Sequence, residues 1–163
     1  MRTLQPLPVS QVDLGSVEFY DMNQAGEGLA AFAGEDFANV NTTRNVLDGP
    51  ATVGYVTTGA LPAEVTFMEH HNHTDELVLA ADCDLALLIA PTSPPGVTPK
   101  AADVQALHVP KGSAVLLPRD VWHSLAFGVD APGHYYWLSH QIPQPQEDML
   151  MDLDEPIRIL APK

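Results

Sequence analysis

From Ala51 onward this chain alternates short apolar or β-branched runs with turn residues, and no stretch holds a helical period for any length. Thr52 to Thr58, Glu64 to His71, Leu77 to Ala81, Leu85 to Ala90, Val104 to Val109, Ala114 to Leu117, Val121 to Phe127 and His134 to His140 each read as a strand. Fifteen prolines and eleven glycines cut the chain into pieces too short for long helices. Eight or more turn-separated strands predict an all-β barrel or double-sheet jelly roll with few short helices. At 163 residues this is one domain with room for a real core. Residues 1–50 read as a lead-in with an edge strand and a loop rich in Gly, Ala, Asn and Asp (26–49). Residues 51–142 read as the barrel core and 143–163 as a C-terminal extension. Asp82-Cys83-Asp84 reads as a hairpin bend, Gln146 to Leu153 as a short acidic helix, and Ile157 to Leu160 as a last edge strand.

Two blocks carry the chemistry. Glu69-His70-His71-Asn72-His73-Thr74-Asp75-Glu76 places three of the seven histidines within four positions, followed by carboxylates. His71 and His73 are two apart, so an extended chain would project both from one face. On a helix the same spacing would separate them by about 200°. Val65, Phe67, Glu69 and His71 share that face, which runs from apolar to ligand-bearing, as a barrel interior with a site near one end requires. His70 should point away. Glu76 returns from the next strand, and His123 comes from the second block, Gly112 to His123. Imidazole nitrogen with carboxylate oxygen is a ligand set for a divalent transition metal, so His71, His73, Glu76 and His123 are the candidate ligands. Iron, manganese, nickel, zinc and copper all suit this set.

Charge narrows the partners. The net charge is −14 with seven Lys plus Arg, a field that repels phosphate backbones and anionic lipid. We therefore expect neither nucleic-acid nor membrane binding, but a small-molecule substrate. No segment has signal-peptide or transmembrane length, and a single cysteine fits a reducing compartment, so a cytoplasmic location is expected. Exposed edge strands, at the N-terminus or at Ile157 to Leu160, predict a homodimer.

The two blocks together resemble the cupin superfamily. Its first motif has two histidines one residue apart and then a glutamate, matched by His71, His73 and Glu76. Its second runs Gly, five residues, Pro-x-Gly, two residues, His, matched by Gly112, Pro118-Arg119-Asp120 and His123, with Asp120 in place of the turn glycine. Within cupins the chain is most similar to the ureidoglycolate lyases over roughly residues 55 to 127. Glu69 before His71, the Leu-Leu-Ile-Ala-Pro strand and the Trp122-His123 pair carry that likeness. His73 and Glu76 depart from that family and look more like an ordinary metal cupin.

The resemblance implies elimination of urea from ureidoglycolate to leave glyoxylate. Such a reaction needs proton transfer, for which Glu69 is the candidate, its alternative role being to orient His71. A carboxylate substrate in so acidic a protein needs a cation, and Arg119 and Arg44 are the candidates. Trp122 and Tyr136 are candidate pocket walls. Metal-dependent oxygenase or isomerase chemistry is a variant of this reading, and a non-catalytic small-molecule-binding or sensing cupin is the alternative from another class.

Overall fold

Leu85-Ala86-Leu87-Leu88-Ile89-Ala90 is apolar at both alternating parities, and all six residues are fully buried. A strand of that kind needs a hydrophobic layer on each face. The computed structural model describes residues 1–13, 16–94, 96–141 and 150–162, and it shows how both layers arise. The strands in chain order are β1 (Arg2–Leu4), β2 (Leu7–Pro8), β3 (Glu18–Asp21), β4 (Leu29–Ala33), β5 (Ala38–Thr42), β6 (Thr52–Thr58), β7 (Ala63–Glu69) and β8 (Glu76–Ala80). They continue as β9 (Leu85–Ala90), β10 (Gln105–Val109), β11 (Ser113–Leu117), β12 (Trp122–His123), β13 (Phe127–Gly128), β14 (Gly133–Ser139) and β15 (Leu150–Ile159). The only helical pieces among the described residues are two three-residue 3-10 turns, Val9–Gln11 and Ala101–Asp103.

The larger sheet runs β1-β15-β7-β12-β9-β10-β2, with β13 beside β9; the second runs β3-β11-β8-β14-β6. Between them lies the main core: Leu85, Leu87, Ile89, Leu107 and Val109 face Val78, Ala80, Val115, Leu117 and Tyr135. On the far face of the larger sheet Ala86, Leu88 and Ala90 join Met68, Trp122, Ile157 and Ile159 in a second layer under Ala101 and Val104. Arg2 ties that corner down by donating to the carbonyls of Ala101 and Val104. The outer face of the second sheet is covered in turn, where Leu77, Leu79, Ala114 and Leu116 meet Tyr20, Leu29 and Val40. Two curled, mainly antiparallel sheets packed over one core, with β1 and β2 added in parallel at the edges of the larger one, make the cupin-type jelly roll that the strand pattern predicts.

Several local expectations change. Asp82-Cys83-Asp84 does not close a hairpin within one sheet: β8 pairs with β11 and β14, β9 with β10 and β12, so the bend carries the chain across from one sheet to the other. The 26–49 loop contains a two-stranded hairpin, β4 with β5. Its residues have weak strand preference, and the hairpin is anchored by Leu29 and Val40 against the neighbouring sheet. Ile157 to Leu160 is not an edge. Ile157 to Ile159 belong to the ten-residue β15, which lies between β1 and β7, and Leu160 follows directly after it. Of the acidic helix expected over Gln146 to Leu153, the first half (146–149) lies outside the described residues and the second half, from Leu150, is strand. Phe67 is 41% exposed while Met68, from the opposite set, is fully buried, so β7 does not present one uninterrupted apolar-to-polar face. No helix among the described residues is long and apolar enough to cross a membrane.

Candidate functional site

The two sequence blocks meet because strand pairing brings them together. β12 lies between β7 and β9 with His123 directly opposite Glu69. The loop that follows β7 is pinned to the second block by two bonds: Asp120 N–H donates to the His71 carbonyl at 3.0 Å, and Arg119 N–H to Asp75 Oδ1 at 3.0 Å. Asp120 sits at φ 65°, in the left-handed region, and Gly112 at φ 74°. Aspartate tolerates that conformation better than most residues, which explains how it serves where the cupin motif has glycine.

Glu69, His71 and His123 each offer a ligand atom, and these atoms lie within 4.8 Å of one another. His123 is buried, and its Nδ1 lies 3.1 Å from the Val121 carbonyl, which accepts the proton that Nδ1 carries. Its Nε2 points to the interior, 3.7 Å from Glu69 Oε1 and 3.8 Å from Glu76 Oε1, with no hydrogen-bond partner. His71 places Nε2 3.2 Å from Glu76 Oε2 while its buried Nδ1 has no partner. Burial pushes the His71 pKa down, but the hydrogen bond to Glu76 and the charges of Glu76 and Glu69 outweigh it, so the net shift is upward.

These four side chains line one end of a cavity of about 210 Å³. Its other walls are Val56, Val78, Leu87, Ala126, Tyr135 and Trp137, with Ser124 and Leu125 beside them. Ser124 is committed elsewhere: its Oγ accepts from Leu88 N–H and donates to the Leu125 carbonyl. Burial pushes the Tyr135 phenol up to about 12, with the Glu76 and Glu69 charges adding to the rise and a backbone bond from Ala126 opposing it. Tyr135 therefore remains an O–H donor at neutral pH.

The other candidates lie elsewhere. His73 is outside the cluster and the cavity wall, its ring centre 6.1 Å from that of His71. β7 ends at Glu69 and residues 70–75 form a loop that bends at Asn72-His73, so the two-residue extended spacing no longer holds. Arg44 pairs with Glu18 and Tyr20 beside a surface groove between Thr42 and Ala51. Arg119 holds Asp48 at 2.8 Å and faces Asp75 at 3.6 Å. Trp122 is buried in the layer on the far side of the larger sheet, where Nε1 donates to Ser93 Oγ at 2.7 Å and the ring lies 4.2 Å from His70. His70 accordingly points away from the cavity. Tyr136 is outward and half-exposed against Tyr55. The inward face of β14 carries Tyr135 and Trp137 instead, both missed from sequence because aromatic residues occupy both parities of this strand.

No protein-family model matches the chain, and no curated protein matches it in sequence. Solved structures do match in fold. The dTDP-4-dehydrorhamnose 3,5-epimerase of Elizabethkingia anophelis superposes with a TM-score of 0.55 at 8% identity, covering 87% of this chain and 77% of the other. The 3,4-ketoisomerase QdtA of Thermoanaerobacterium thermosaccharolyticum, solved in complex with TDP, gives 0.52 at 8% identity over 85% and 88%. The TDP-fucose-3,4-ketoisomerase WlaRA of Campylobacter jejuni gives 0.52 at 9% identity over 83% and 88%. At these identities the likeness is one of fold, and none of the three is a lyase.

Proposed function

We propose that this protein is a divalent-metal-dependent enzyme acting on a small oxygenated carbonyl compound by proton transfer. The observation that carries the reading is His123 Nε2: a buried ring nitrogen, its ring oriented from behind by the Val121 carbonyl, facing two carboxylates without a hydrogen-bond partner. Such a donor set fits a nickel, zinc, manganese or iron ion. His71, His123 and Glu76 would hold it, Glu76 being the more buried carboxylate, 3.2 Å from His71 and 3.8 Å from His123, while Glu69 is the carboxylate whose oxygen lies with both imidazole nitrogens within 4.8 Å. The bound ion would act as a Lewis acid toward a carbonyl or hydroxyl oxygen. Glu69, the more exposed of the two carboxylates, would take a proton from the substrate and return it. Tyr135, held protonated, donates a hydrogen bond to a substrate oxygen. The apolar walls exclude water from the reacting end.

The ligands named for the structural neighbours fit this cavity poorly. A TDP-sugar carries a diphosphate, whereas among the described residues no Lys or Arg lines the cavity, and about 210 Å³ is below the usual size for a drug-sized ligand. Ureidoglycolate, the substrate suggested by the sequence resemblance, is small enough, but its carboxylate meets the same lack of a lining cation. Elemental analysis of the purified protein, followed by turnover assays on ureidoglycolate and on small hydroxy- and keto-compounds, tests the proposal. One transition-metal ion per chain with metal-dependent turnover is the expected result. Absence of stoichiometric metal after reconstitution would overturn it and favour a metal-free binding role.

A further inference from the structure

The charge around the cavity carries an inference about the substrate, which rests on the metal-site reading above. A divalent ion held beside Glu69 and Glu76 is neutralised by their two carboxylates. Beyond them the walls are the two imidazoles, the Ser124 and Tyr135 hydroxyl side chains and apolar surface, and among the described residues no Lys or Arg lines the cavity. The two arginines nearest in sequence to the site are committed elsewhere, Arg44 to Glu18 and Arg119 to Asp48. The whole chain adds a field of net charge −14. An anionic substrate would therefore lose its hydration on entering and find no compensating charge. We infer that the natural substrate is uncharged: a short α-hydroxyketone or related compound with two adjacent oxygens at one end and a small alkyl group against Val56, Val78 and Trp137.

Acetoin and lactate make a matched pair, each with a hydroxyl beside a second oxygen, one neutral and one anionic. In water the anion is the better partner for a divalent ion, simply by Coulomb attraction. The protein is expected to reverse that order. With cobalt(II) loaded at one ion per chain, calorimetry and the visible cobalt spectrum should show acetoin binding about tenfold more tightly than lactate. Leu125 lies on the cavity wall and is half-exposed, so a cation can be added there without disturbing the core. Leu125→Arg should tighten lactate binding by at least the same factor and leave acetoin little changed. Cobalt bound at one per chain with lactate equal to or tighter than acetoin, or with neither ligand perturbing the spectrum, overturns the inference and leaves the metal site standing. Failure to bind cobalt at all overturns both.

Discussion

Replacing Glu69 by Gln should stabilise the metal-free protein. The oxygens of Glu69 and Glu76 that face His123 Nε2 lie 3.7 and 3.8 Å from it, so the two carboxylate oxygens are no more than about 7.5 Å apart. Two unit charges at that separation repel by about 2 kcal/mol at an effective dielectric constant near 20. For a chain of this length that corresponds to a rise in Tm of roughly 4 to 8 °C. The sign depends on pH through His71, whose pKa is raised in the folded state. Below that value the imidazolium offsets the repulsion and is itself attracted by Glu69, so the substitution gains nothing or costs stability. As pH rises through the folded pKa of His71 the cation disappears, the repulsion is uncovered, and the gain from Glu69→Gln emerges. Thermal melts of apo wild type and variant in low salt between pH 5.5 and 9 measure this directly. A variant that is less stable than wild type across the whole range would refute the electrostatic account of the site. On the function proposed, the variant also keeps its metal and loses turnover; loss of metal would instead place Glu69 among the ligands.

The other tests are simpler. Metal at a hundred times its Kd should stabilise wild type by about 2.7 kcal/mol, a rise in Tm of roughly 5 to 11 °C, and His123→Ala and Glu76→Gln should each abolish that rise. His73→Ala should keep it, since the structure places His73 outside the cluster; loss of the rise would restore His73 to the ligand set. Ultraviolet titration of the tyrosines should leave one phenol un-ionised until about pH 12, and Tyr135→Phe should remove that late step. Asp120→Gly should raise stability by about 1 kcal/mol by relieving the left-handed conformation, because the His70 contact it loses, at 3.4 Å to a half-exposed carboxylate, is worth little. A fall in Tm would show that Asp120 contributes through that contact.

What the sequence reveals and what it hides follow from one physical distinction. The two motif blocks are legible because each works locally: an extended segment ending at Glu69, a tight turn, and a position at Asp120 that must adopt a left-handed backbone. Their convergence is then enforced by strand pairing between β7, β12 and β9, and β9 is the chain's most emphatic apolar run. The errors arise where two readings are locally equivalent and only packing decides. In Gly133–Ser139 aromatic residues stand at both parities, so alternation alone cannot say whether Tyr136 or Tyr135 faces inward. The decision comes from β8, whose Val78 and Ala80 lie opposite Trp137 and Tyr135 on the core face. His73 shares a parity with His71 only if the strand continues past Glu69, and it stops there. The hairpin at Leu29–Thr42 has little strand character of its own and exists because the neighbouring sheet has an apolar outer face to cover. Side chains within single-parity strands are therefore safe to assign from sequence, whereas those just past a strand end, such as His73, are not. The cavity walls, built from strands apolar on both faces, require the second sheet to be in place before they can be read.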